Sequence, residues 1–288
     1  MKKVLIFALI TGLVFLWTAA GYAFVRYEDK HPQKVRRLTI TGFHNYAPFG
    51  YVEHPDEKIW GRFFTVFQPM IDTFRQENNL KIKNKITKND YEQQVIDVRQ
   101  GEIDIALGVY HHTEAFRGLE ILYPAAFINP ITAFVLPNRV NDIKNLDDLK
   151  KLKGVRWEKE IYTDFAESQL KEFDIVSVKT PFEMFELLFT KKVDYILASQ
   201  YFGLIEASKL GLRNQISVAK QTLWQLPMFI GVSKFSKERK MIAQKLTRYL
   251  EKPENRELLK QNIIKIVEDA EIKAQGIVPP TFGLDKSE

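Results

Sequence analysis

The feature that most constrains this chain is the switching of its hydrophobic period between two and 3.6 residues. Leu38 and Ile40 alternate with Thr39 and Thr41, the period of a half-buried strand. Phe63, Phe67, Met70 and Phe74 follow at spacings of 4, 3 and 4, which line one face of a helix. A strand is expected around Leu80 to Ile82, a helix through Tyr91, Val95 and Val98, and a strand through Ile103, Ile105 and Leu107. The order β-α-β-α-β predicts a mostly parallel sheet with helices on both faces.

A second unit of the same kind begins after Pro137. Leu146, Leu149 and Leu152 suggest a short helix, Phe165 to Phe173 another, and Ile175 to Val178 a strand. In Thr180-Pro181-Phe182-Glu183 the Thr stands at N-cap, the Pro at the first helical position and the Glu at N3, a capping box. That helix runs through Phe185, Leu188 and Phe189 into a strand from Val193 to Leu197. The units echo one another: Gly101-Glu102-Ile103-Asp104-Ile105 in the first corresponds to Lys191-Lys192-Val193-Asp194-Tyr195 in the second. The apolar stretches Ile131 to Leu136 and Met228 to Val232 border the second unit and are expected to be two crossings between lobes, forming a hinge. Residues 236 to 250 and 254 to 270 read as amphipathic helices returning to the first lobe, and the tail with Pro279-Pro280 is expected to be loose. The expected boundaries are 35–134 and 228–272 for lobe 1, 135–227 for lobe 2 and 273–288 for the tail.

A length of 288 residues suits two modest domains, and 45% apolar residues supply enough material for their cores. The charge of +6 could suit anionic ligands or a membrane surface, but it is too diffuse to imply nucleic acid. With no Cys, disulfides, thiolate nucleophiles and Cys-ligated zinc are excluded. At the amino end, Lys2-Lys3 precedes fourteen uncharged residues, Val4 to Trp17, and then the small residues before Ala23. This is the layout of a secretory signal peptide over residues 1–23, with cleavage expected after Ala23. The uncharged run continues to Val25, long enough to span a bilayer, so an uncleaved anchor is the alternative. Either way Lys2 and Lys3 stay cytoplasmic and the remainder is exported, which places the functional part in the periplasm.

The chain contains none of the P-loop, dinucleotide-binding, Gly-x-Ser-x-Gly or His-Glu-x-x-His signatures. No catalytic residue, cofactor or metal site is expected. The adjacent His111 and His112 would point to opposite sides of an extended segment, which disfavours shared ligation.

Several segments, in order, resemble bacterial extracellular solute-binding proteins of family 3, which serve polar amino-acid ABC importers. They are Asn45-Tyr46-Ala47-Pro48-Phe49-Gly50-Tyr51, Asn89-Asp90-Tyr91 leading to Gly101 through Gly108, Thr113-Glu114-Ala115-Phe116-Arg117 with Tyr123 and Phe127, Val193-Asp194-Tyr195, and Met228 to Lys234. The match covers residues 35 to 270. It implies a two-lobed α/β fold of the periplasmic-binding-protein type II kind, each lobe a mostly parallel sheet flanked by helices, with a two-strand hinge. It further implies a monomer that closes on a small polar, carboxylate-bearing solute and delivers it to an inner-membrane ABC permease.

The same resemblance nominates the ligand-binding residues Tyr46, Tyr91, Gly108, Tyr110, Arg117, Glu160 and Ser199. Tyr46 and Tyr91 align with aromatics that pack on the ligand, where flat rings exclude water at low entropy cost. Arg117 aligns with the arginine that clamps a ligand carboxylate, a task suited to a planar, permanently charged fork. The stretch from Gly108 to Arg117, which contains Tyr110, is two residues longer than the family pattern, so Arg117 could be displaced. Ser199 stands where the family places an acid opposite the ligand ammonium, and Trp157 to Thr163 replaces the family's Gly-Thr element. Glu158 or Glu160 is a candidate replacement for that acid; otherwise the solute is not an α-amino acid. Two rival readings stay open: an enzyme on the same fold, like the cyclohexadienyl dehydratases, and a membrane-anchored ligand sensor.

Overall fold

The computed structural model describes residues 36–42, 48, 66–84, 96–110, 117–160 and 162–282. Lobe 1 starts with β1 (Arg36–Thr41), where Leu38 and Ile40 are buried while Arg36 and Arg37 are exposed. Helix α1 (Gln68–Glu77) turns Met70, Ile71 and Phe74 inward. Strands β2 (Leu80–Asn84) and β3 (Ile105–Tyr110) flank β1 in parallel, and all six residues of β3 are buried. A parallel strand covered on both faces must be apolar throughout, as Ile105-Ala106-Leu107-Gly108-Val109-Tyr110 nearly is.

Strand β4 (Leu119–Val135) is 17 residues long and enters lobe 2. There follow α2 (Leu146–Leu149), β5 (Lys153–Trp157), α3 (Asp164–Leu170), β6 (Asp174–Val178), α4 (Pro181–Phe189), β7 (Tyr195–Ser199) and α5 (Gln200–Lys209). A short β8 (Ser217–Val218) pairs with β4, and β9 (Trp224–Ser233) returns to lobe 1. Helices α6 (Arg239–Glu251) and α7 (Pro253–Lys273) follow, separated where Pro253 ends one helical path and starts the next.

The sheet order is β2-β1-β3-β9-β4-β7-β5-β6. Two parallel trios, β2-β1-β3 and β7-β5-β6, are thus joined through the antiparallel pair β9 and β4. Those two strands run together from Leu119 opposite Ser233 to Ile131 opposite Trp224. The hinge lies slightly away from the expected stretches. Met228 to Val232 pairs with β3 inside lobe 1, and Ile131 to Phe134 pairs with β7 inside lobe 2. The passage between lobes is therefore Phe127 to Ile131 on β4 against Trp224 to Met228 on β9.

The echo between the two units has one physical cause. In lobe 1 the Asp104 N–H donates to Thr39 O (2.8 Å), while the Asp104 carboxylate accepts from Thr39 N–H (2.7 Å). In lobe 2 the Asp194 N–H donates to Lys153 O (2.7 Å), and the Asp194 carboxylate accepts from Lys153 N–H (2.7 Å). Three residues before each Asp the backbone turns through positive φ, at Gly101 (72°) and Lys191 (58°). Each Asp thus ties the start of one parallel strand to its neighbour. The turn also explains why the strand expected from Ile103 begins at Ile105.

Three further expectations are refined. The Thr180 hydroxyl accepts from Glu183 N–H (3.3 Å), as a capping residue should, but the Glu183 carboxylate accepts from Lys179 N–H (3.2 Å), one residue further out. Helix α5 has no counterpart in the periodicity, because Phe202, Gly203, Leu204, Ile205, Ala207 and Ser208 are all buried and leave no single apolar stripe. The tail expected to be loose is largely exposed from Gln275 to Val278 but touches lobe 2 at Phe282, whose ring lies 5.1 Å from that of Phe189 and 5.7 Å from that of Phe182.

Candidate functional site

Parallel strands present ligand sites beyond their carboxyl ends. Here β3 ends at Tyr110, β5 leads through Trp157 to Glu160, and β7 ends at Ser199, all meeting β4 at the passage between lobes. The Ser199 N–H donates to Glu160 Oε1 (2.6 Å), and the Ser199 hydroxyl donates to Asn129 Oδ1 (2.7 Å). Asn129 Nδ2 in turn donates to the Tyr110 hydroxyl oxygen (2.5 Å). One polar chain thus links a strand end of lobe 1, the hinge and two segments of lobe 2.

All four members are buried; Glu160 is only 1% exposed and Asn129 and Ser199 are 0% exposed. Hydrogen bonds in such surroundings are stronger than in water, and losing one partner costs correspondingly more. Gly108, two residues before Tyr110, lies at an irregularity in the β3–β9 register between Leu107 and Val109, with φ of 71°. A residue with a side chain would be strained there, so Gly108 shapes the strand end that delivers Tyr110.

Tyr162 extends the cluster. Its ring is 0% exposed and tilts against Trp224 at 6.3 Å, while its hydroxyl has no hydrogen-bond partner among the described residues. Burial, followed by the nearby charge of Glu160, pushes the Tyr162 phenol well above its ordinary value. Beside it Arg156 pairs with both oxygens of Glu167 (2.9 and 3.0 Å), and Glu167 Oε1 accepts the Tyr162 N–H (3.0 Å). The guanidinium and Glu167 thus offset each other's charge beside Tyr162.

The structure therefore brings Gly108, Tyr110, Glu160 and Ser199 together, and separates Arg117 from them. Arg117 immediately precedes Gly118 and Leu119; Leu119 pairs with Ser233, whose N–H donates to Asp104 O at the beginning of β3. Tyr110 is at the other end of that strand, on the order of 17 Å away at 3.3 Å per residue. Arg117 is exposed in a turn and its carbonyl accepts from Lys234 Nζ (3.0 Å). Arg117 thus enters β4 at the Asp104 end of β3. Tyr46, Tyr91, His111 and His112 lie outside the described residues.

Asn129 and Tyr162 were not anticipated from the sequence. The available signal for Asn129 was its polarity within the otherwise apolar run Phe127-Ile128-Asn129-Pro130-Ile131. Buried at mid-strand, an Asn side chain must find hydrogen-bond partners there. Among the described residues no group of three His, Asp or Glu could hold a metal ion, and no helix is long and apolar enough to cross a membrane.

No protein-family model matches the chain, and no curated protein matches it. Solved structures do. The ligand-binding core of GluR0 in complex with L-glutamate superposes with a TM-score of 0.63 at 13% identity, covering 81% of this chain and 100% of that one. An amino-acid ABC transporter substrate-binding protein from Streptococcus pneumoniae, bound to L-arginine, gives 0.61 at 17% identity, covering 81% and 94%. The ancestral amino-acid-binding protein AncCDT-1, a precursor of cyclohexadienyl dehydratase, gives 0.59 at 14% identity, covering 80% and 95%. At these identities the likeness establishes a shared fold.

Proposed function

We propose that this chain, which has the two-lobed periplasmic-binding-protein-like fold, is an exported receptor that captures a small polar solute between its lobes. Delivery to an inner-membrane ABC permease follows from that reading, as does a periplasmic location reached through the amino-terminal segment. The observation that carries it is the polar chain from Tyr110 through Asn129 and Ser199 to Glu160, which joins both lobes at the hinge. A solute that contacts both lobes stabilises the closed arrangement by its differential affinity for it.

The Glu160 carboxyl group beside the end of β7 refines the solute class. Its Oε1 accepts the Ser199 N–H, and an acceptor of this kind at a strand end suits a partner that brings N–H donors. An amine or another group rich in N–H donors is therefore the class proposed. An amino acid remains within this class through its ammonium group; a dicarboxylate does not.

The test is a thermal-shift screen of the exported protein against basic and neutral amino acids, polyamines, dicarboxylates and small sugars. Amine-bearing solutes should raise the melting temperature, and Glu160→Gln should remove that rise. Stabilisation by dicarboxylates alone, or a rise undiminished in Glu160→Gln, would overturn the assignment.

A second reading is a lyase on the same fold, favoured by the proximity of the Glu160 carboxyl group to the Tyr162 phenol. Recovery of chemically unchanged solute after prolonged incubation separates a receptor from such an enzyme.

A further inference from the structure

The hinge strands are not the only connection between the lobes. Helix α7 has 21 residues and spans about 31 Å at 1.5 Å per residue. Near its start Asn255 Nδ2 donates to Tyr249 O (2.8 Å), and Asn262 Nδ2 donates to Val66 O (3.1 Å), both groups of lobe 1. The helix also packs against α1, α6, β4 and, in lobe 2, α5, burying Leu259, Ile263, Val267 and Ala270. Its last turn is bound to lobe 2 by the ion pair between Glu271 Oε1 and Arg213 Nε (2.6 Å).

The chain then continues over lobe 2. The Ile277 backbone lies so close to Gly211 that a Cβ there would stand 2.7 Å from Ile277 O. Beyond Pro279-Pro280, whose rings fix φ and reduce the entropy lost on docking, Phe282 stacks against Phe189 and contacts Phe182 on α4.

We infer that α7 and the tail 274–282 form a strap that ties lobe 2 to lobe 1 in addition to the hinge strands and restricts their relative rotation. Two adjacent strands permit bending at the passage between lobes. A third connection, with α7 held to lobe 1, makes any wide opening break both the α7 contacts with α5 and the Phe282 contacts with α4. The tail is the weaker attachment, because Phe282 packs at the surface whereas α7 buries an apolar stripe. Undocking of the tail is therefore the first step of opening, and full release also requires α7 to part from α5.

The chain has no native Cys, so paired spin labels can be placed at Gln76→Cys in lobe 1 and Lys171→Cys in lobe 2, both exposed. Pulsed electron-electron resonance on the solute-free chain should give one narrow distance distribution. Phe282→Ala combined with Arg213→Ala should broaden it toward longer distances, as should truncation after Lys273, with circular dichroism confirming that both variants remain folded. Phe282→Ala alone alters only the surface attachment and should give an intermediate broadening. Unchanged distributions in the folded variants would overturn the strap. No solute is involved, so the outcome is independent of the receptor assignment.

Discussion

The Ser199 N–H donates to Glu160 Oε1 at 2.6 Å, although 39 residues separate them in the chain. Ser199 ends β7, and Glu160 follows β5; the two strands are adjacent and parallel in lobe 2. The Glu160 carboxyl group, just beyond β5, thereby lies beside the end of β7. Replacing Glu160 with Ala removes the acceptor for a buried N–H and should destabilise the protein by about 1–3 kcal/mol. Glu160→Gln retains an acceptor oxygen and should lose much less. Urea denaturation of the two variants tests this ordering, and equal losses would argue that charge matters more than the hydrogen bond.

Arg117→Ala should leave solute-induced stabilisation unchanged, because Arg117 is associated with the beginning of β3 and Tyr110 with its end. Thermal shift of this variant beside Glu160→Gln checks the placement. A loss of stabilisation in Arg117→Ala would return this arginine to the site.

Tyr162→Phe should be neutral or stabilising, by on the order of 1 kcal/mol, because it removes a buried hydroxyl that lacks a partner among the described residues. Its pH signature has a definite sign. Burial raises the folded phenol's pKa, so the corresponding stability is fully present below the unfolded value of about 10 and declines as pH rises above it. Chemical denaturation between neutral and strongly alkaline pH should show a shallower decline for Tyr162→Phe than for the parent protein.

At Asp194, burial opposes ionisation, but hydrogen bonds from Arg139 and the Lys153 N–H, with the charge of Arg139, prevail and lower the pKa. A depressed folded pKa contributes stability above the unfolded value of about 4, and this is lost as pH falls through the folded one. Asp194→Asn should therefore destabilise at pH 7, and its deficit relative to the parent should shrink in strong acid. Urea midpoints at the two pH values measure the difference.

Gly154 lies beneath the ring of Tyr195, where an added Cβ would stand 2.4 Å from a ring carbon. Gly154→Ala must push that fully buried ring aside and should cost about 1–3 kcal/mol. A neutral result in denaturation would mean that Tyr195 has room to move.

How far the sequence was legible varies with the range of the interactions. Leu38, Ile40 and the stripe of α1 were readable because a period of two or 3.6 reports on which side of one local element faces the core. Thr180 was readable as a helix start because its cap acts within three residues. Helix α5 escaped notice because burial on several sides erases the period. That Glu160 rather than Glu158 meets the Ser199 N–H depends on how β5 and β7 lie side by side, which no local period records.

By itself the sequence determined the alternation of strands and helices, the doubled Asp-containing turn and the amphipathic return helices, all governed by contacts within a few residues. Tertiary structure alone decided that Asn129 joins Tyr110 to Ser199, that Arg117 is at the far end of β3, and that Phe282 rests on lobe 2. These relations depend on strand register and on how one lobe meets the other. A shift of one residue in register reverses which side of the sheet a side chain occupies, and no local period records that choice.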